Sequence, residues 1–170
     1  MVAAVDGTTA GLATLSVKTP KGSELPAPGD AAVVAATATV DRRRGFRDLC
    51  TREPACGMHE VSLHTALRQG RPVVATFATP AYCQTAVCGP SVDTVEKVRT
   101  SRDWGDTAFV HVEIYRDAGK TVAEPVEKWR LPSEPWLFTI RAGGSIAGRV
   151  DGPLLVLPEQ VASLVGDISA

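Results

Sequence analysis

Apolar positions in this chain come in short blocks set apart by glycine, proline and charge. Residues 73–77 (Val-Val-Ala-Thr-Phe), entered from Arg71-Pro72, are a continuous apolar run of strand length, which predicts a strand buried on both faces. Thr107 to Glu113 and Pro135 to Ile140 repeat that pattern. Gly143-Gly144 predicts a hairpin turn into a further strand over Ser145 to Val150. Helical spacing appears between these runs. Ser62 is a candidate N-cap for a short helix to Arg68, stopped by Gly70. Val92, Val95 and Val98 share one side of a helix that follows the Cys83–Cys88 segment. Val122 to Trp129 reads as helical with Pro125 in its first turn, and Pro158 opens an amphipathic helix carrying Val161, Leu164 and Val165. The first 40 residues are weakly patterned. Thr14 to Val17 predicts a short strand, Pro20 to Asp30 a linker or extended loop, and Val33 to Val40 an edge strand or an extended lead-in. Pro54 and Gly57 make Cys50 to His59 turn-like.

Length and composition narrow the picture. With 170 residues, 44% of them hydrophobic, the chain fits one α/β domain over 46–170, with an N-terminal extension or linker over 1–45 that holds possible edge strands. A net charge of −1 gives no electrostatic case for nucleic acid or an anionic membrane surface. Arg42 to Arg44 is a solvated charge cluster, and Trp104, Trp129 and Trp136 read as packing residues. No apolar run approaches the roughly 20 residues of a membrane span. Met1 to Leu15 lacks the basic and apolar regions of a signal peptide. The expectation is an extracytoplasmic chain whose export signal has been removed, with a cytoplasmic protein as the alternative.

The four cysteines fall in two close pairs, Cys50/Cys56 and Cys83/Cys88. Cys83 and Cys88 lie where the strand ending at Phe77 gives way to a helix. A helix start offers unpaired amide donors and a positive dipole end, and both stabilise a thiolate, the reactive form. A second cysteine five positions on can attack any mixed disulfide that forms. Five residues of intact helix rise about 7.5 Å, whereas a disulfide needs Cα atoms within about 7 Å. Either Cys83 sits in the loop ahead of the helix, or the first turn unwinds on oxidation, which Gly89 and Pro90 would ease. For Cys50/Cys56 the expectation is a structural disulfide closing a small loop, which stabilises by roughly 2 kcal/mol in the chain-entropy view. A second redox relay and a metal site stay open. Cys50, Cys56, His59 and His64 contain zinc ligand types, while Cys83, Cys88 and His111 would suit copper. His111 lies inside an apolar strand and reads first as a satisfied core residue. The leading reading carries no metal and no other cofactor.

The order strand, helix, strand, helix, strand, hairpin strand, helix, with a cysteine at the first strand–helix junction, resembles the thioredoxin fold over roughly Ser62 to Ile168. Val73–Phe77 precedes Cys83, the aromatic Tyr82 sits just before it, and Glu134-Pro135 lies ahead of the third strand. The resemblance implies a central mixed sheet flanked by helices, with Pro135 cis beside the active cysteine. It implies Cys83 as nucleophile, since its spacing from Phe77 is close to the family's, and Cys88 as resolving cysteine. Tyr82, Glu134 and Trp136 would line the substrate groove, and Glu113 or Glu134 would relay protons. The family's usual pair has two intervening residues; here there are four, which is similar to the bacterioferritin-comigratory branch of the peroxiredoxins. The Cys50 to His59 segment resembles a cysteine-pair extension of exported actinobacterial thioredoxin-fold proteins. The implied function is a monomeric thiol–disulfide oxidoreductase whose partners are protein thiols or disulfides and a reducing partner. The alternatives are a peroxiredoxin-like peroxide reductase, a copper- or zinc-binding module without turnover, and a structural protein that kept the fold.

Overall fold

Every residue of β3 (Val73–Phe77) is buried, as an unbroken apolar run requires of a central strand. The structure is a computed structural model; it describes residues 25–83, 86–152 and 157–169, together with the backbone of 2–5 and 8–12. Along the chain, β1 (Val2–Val5) and β2 (Thr8–Leu12) pair antiparallel in a sheet of their own. There follow α1 (Leu63–Arg68), β3, α2 (Cys88–Ser101), β4 (Ala108–Val112), α3 (Glu124–Lys128), β5 (Trp136–Ile140), β6 (Ile146–Asp151) and α4 (Pro158–Gly166). The main sheet has the order β4-β3-β5-β6. β3 runs parallel to β4 and antiparallel to β5, and β5 runs antiparallel to β6, so the sheet is mixed.

Strand alternation sends successive side chains to opposite faces and divides the core in two. Val73, Ala75 and Phe77 meet Phe138, Ile140, Leu63 of α1 and Val126 and Trp129 at α3. Val74 and Leu137 meet Val92, Val95 and Val98 of α2 and Val161 and Val165 of α4. Helices α1 and α3 thus cover one face, and α2 and α4 the other.

The predicted elements appear with their ends shifted by one or two residues, and several expectations change. The β1–β2 hairpin has no counterpart among the predicted elements, and Thr14 to Val17 lies outside the described residues. Val33 to Val40 is the extended lead-in rather than an edge strand. Its polar groups turn to the entry of α1: the Thr37 amide donates to Ser62 Oγ at 3.0 Å, and the Leu63 amide donates to Thr37 Oγ1 at 3.0 Å. Ser62 holds the N-cap position, but Thr37 supplies the capping oxygen. Just upstream, the chain lies along β6: the Gly29 amide donates to the Ile146 carbonyl at 2.9 Å, and the Ala32 amide to the Gly144 carbonyl at 2.8 Å. On the opposite edge, the His111 amide of β4 donates to the Met58 carbonyl at 2.8 Å. Pro90 does not weaken α2. It falls in the first turn, where no amide is needed, and the helix runs unbroken from Cys88 to Ser101.

Candidate active site

The loop after β3 carries Cys83, and α2 begins at Cys88. The two are joined by a disulfide with Cα atoms 6.1 Å apart. Cys83 therefore lies ahead of the helix, the first of the two arrangements that the spacing allows. Exposure separates the two sulfurs. Cys88 has no accessible surface and packs with Val92 and Val95, whereas Cys83 is half-buried.

Glu134 approaches from the loop before β5. Its carboxyl lies with the Cys83 and Cys88 sulfurs in a group whose atoms are all within 4.8 Å of one another. Its Oε2 accepts the Thr79 amide at 3.0 Å. Burial, reinforced by repulsion from Glu113, pushes the Glu134 carboxyl up to about 7, although the Thr79 bond opposes this. The Glu134-Pro135 peptide is cis. A cleft of about 300 Å³ adjoins Glu134 and is walled by Ile114, Tyr115, Val122, Val126 and Leu131.

The expected groove residues separate. Tyr82 is half-buried and packs toward the turn at Gly119. Trp136 is only 3% exposed, its Nε1 donates to the Ser133 carbonyl at 2.9 Å, and its ring stacks on Phe138. It lies in the core, so the apolar wall beside Glu134 comes from α3 and the end of β4.

The second cysteine pair is not bridged. Cys50 and Cys56 are free thiols with sulfurs 3.6 Å apart. His111 Nδ1 stands 3.8 Å from the Cys50 sulfur and 3.4 Å from that of Cys56. Its Nε2 lies 3.0 Å from the Ala78 carbonyl, an acceptor only, so Nε2 carries the proton. His59 completes the cluster, its ring centroid 4.9 Å from that of His111. The Cys56 thiol, and after it His111, hold the Cys50 thiol far below its ordinary range against the cost of burial. The bond to Cys50 and burial push Cys56 the other way. His64, grouped with these residues from sequence, lies outside the cluster, and His111 belongs here rather than with Cys83 and Cys88. Glu113, 2% exposed, accepts the Thr51 amide at 2.6 Å and the Thr51 hydroxyl at 2.9 Å. Thr51 Oγ1 in turn accepts the Ala81 amide at 3.1 Å, two residues before Cys83.

No family model and no curated protein matches the chain. Solved structures do. A Bacteroides thetaiotaomicron protein assigned as a protein disulfide isomerase aligns with a TM-score of 0.56 and 18% identity, over 84% of this chain and 88% of that one. DsbF of MTB, in its mixed oxidized and reduced forms, aligns at 0.52 and 15%, over 80% and 96%. A thiol:disulfide interchange protein of the thioredoxin family from Chlorobium tepidum TLS aligns at 0.50 and 17%, over 85% and 97%. The chain has the thioredoxin-like fold. In this thioredoxin-like chain the disulfide and the cis-proline meet at the ends of β3 and β5. What sequence reasoning missed is the partner of the upstream cysteines. His111 sits 61 and 55 positions from them, and no local spacing signals that contact.

Proposed function

We propose that the chain is a thiol–disulfide oxidoreductase working through Cys83 and Cys88. The observation that carries this reading is the disulfide at the mouth of α2, with one sulfur half-buried and the other inaccessible. An accessible sulfur suits first attack, and a buried one suits resolution.

In the reduced protein the Cys83 thiolate attacks one sulfur of a substrate disulfide. A Cys83–substrate bond forms, and the other substrate sulfur leaves as a thiolate and takes up a proton. Cys88 then gives its proton to Glu134 and attacks the Cys83 sulfur. The internal disulfide forms and the first substrate sulfur departs. Two electrons pass to the substrate, and a dithiol reducing partner returns them. A carboxyl near 7 suits proton exchange with a thiol at neutral pH. Pro135 has no amide hydrogen to compete for a bound strand. Tyr82 and the cleft beside Glu134 would receive apolar residues flanking the substrate disulfide.

Residues 46–170 are the catalytic domain in this reading, 1–45 its extension, and the working unit a monomer. Cysteine pairs of this kind suit an extracytoplasmic setting. Among the described residues no helix is long and apolar enough to cross a membrane.

Single-cysteine variants test the proposal. Cys88→Ser should accumulate mixed disulfides with a model disulfide substrate, and Cys83→Ser should not. Trapping by Cys83→Ser alone would reverse the two roles, and trapping by neither would end the proposal. Rapid consumption of hydrogen peroxide by the reduced chain, without disulfide exchange, would replace it with the peroxide-reductase reading.

A further inference from the structure

The thiol exchange proposed above makes no use of Cys50, Cys56, His59 and His111, yet these four side chains converge in the interior. Their donor atoms all lie within 4.8 Å of one another. A tetrahedral zinc ion, with bonds of about 2.3 Å to sulfur and 2.0–2.1 Å to nitrogen, needs sulfur–sulfur edges of about 3.8 Å and sulfur–nitrogen edges of about 3.6 Å. The measured sulfur–sulfur edge is 3.6 Å, and the two edges to His111 Nδ1 are 3.4 and 3.8 Å. Three corners of the tetrahedron are therefore in place.

His59 supplies a second, independent observation. It is 4% exposed, and neither ring nitrogen has a hydrogen-bond partner among the described residues. A buried imidazole with both nitrogens unsatisfied is costly, and thiol–imidazole hydrogen bonding elsewhere in the cluster leaves it so. Closing a Cys50–Cys56 disulfide would not satisfy it either. A metal ion would take one of its nitrogens. His111 already has the orientation of a ligand. Its Nε2–H is committed to the Ala78 carbonyl, which leaves Nδ1 facing both sulfurs, the usual outer-shell device for a metal-bound histidine.

We propose that Cys50, Cys56, His59 and His111 bind one zinc ion in a closed structural site. Two sulfurs and two nitrogens in a tetrahedral array are a zinc donor set. With four protein ligands no position stays open for water or substrate, so the ion clamps rather than catalyses. It would pin the irregular segment around 50–59 to β4. The clamp would also reach the redox loop, because Ala78 bonds to His111, and Ala81 bonds to Thr51 beside Cys50.

The test uses the full chain, reduced with a phosphine and stripped by a chelator, and needs no turnover. Failure of the exchange proposal therefore leaves it intact. Titrated with zinc alone, the chain should bind one equivalent. Cobalt alone should give the intense visible bands of a tetrahedral site with thiolate charge transfer. The double variant Cys83→Ser/Cys88→Ser should bind zinc as the parent does. His59→Ala should weaken binding by more than about 100-fold, beyond the range for loss of an outer-shell partner. Zinc should slow alkylation of Cys50 and Cys56 in the unsubstituted chain, and chelation should restore it, a readout that needs no variant to fold. Absence of stoichiometric uptake by the reduced chain would overturn the proposal. So would uptake lost in the Cys83/Cys88 double variant but kept in His59→Ala.

Discussion

Thr79 holds Glu134 in place: its amide donates to Oε2 at 3.0 Å, at the point where the carboxyl faces the bonded sulfurs of Cys83 and Cys88. Burial, with a smaller repulsion from Glu113, raises Glu134 from 4.5 to about 7. Alkylation of the reduced active-site thiols should therefore show an inflection near pH 7 that Glu134→Gln removes. A carboxyl raised on folding contributes stability below about pH 4.5 that is lost as pH rises through about 7. Glu134→Gln should accordingly gain stability relative to the parent above neutrality. Denaturant midpoints across pH check this, and parallel curves for the two proteins would contradict it.

Thr51 joins three elements through one hydroxyl, which donates to Glu113 and accepts from Ala81. Thr51→Val keeps the shape but leaves the buried Glu113 carboxyl short of a partner, while the exposed Ala81 amide turns to water. It should cost about 1–3 kcal/mol in urea unfolding, the range for a buried polar group left unmade. It should also speed proteolysis between Ala78 and Cys83.

Trp129 is fully buried against Phe77 and Phe138, with ring centroids 5.1 and 4.6 Å away. Trp129→Ala should cost about 3–5 kcal/mol by cavity formation. Its Nε1 has no partner among the described residues, so Trp129→Phe removes an unsatisfied donor together with some volume and should cost clearly less. Calorimetric midpoints of the two variants would separate these effects.

Val122 is 37% exposed at the rim of the cleft beside Glu134. Val122→Glu should raise KM for disulfide peptides with apolar flanks and leave kcat and thermal stability near the parent values. A fall in kcat at unchanged KM would place substrate elsewhere.

The sheet was legible because its strands are unbroken apolar runs, and β3, β4 and β5 are buried throughout. Tertiary partnership was not. Val33 to Val40 has strand composition, yet Thr37 spends its polar groups on α1 instead of a neighbouring strand. The resemblance puts Trp136 in the groove, whereas the structure buries it. Strand parity puts it on the same face as Phe138 and Ile140, and that signal was present in the sequence. The placement of Cys83 and Cys88 between the end of β3 and the start of α2 was readable from order alone. The clustering of Cys50, Cys56 and His111 was not, because it depends on how a loop without regular structure crosses a strand end.

Part of each margin of the main sheet is met by the chain's own backbone, the start of β6 by Gly29 and Asp30 and His111 of β4 by Met58. Unpaired strand margins template polymerisation, so these contacts act as a guard against stacking one molecule onto another. This covering shortens the stretch of rim on which another molecule could add a strand.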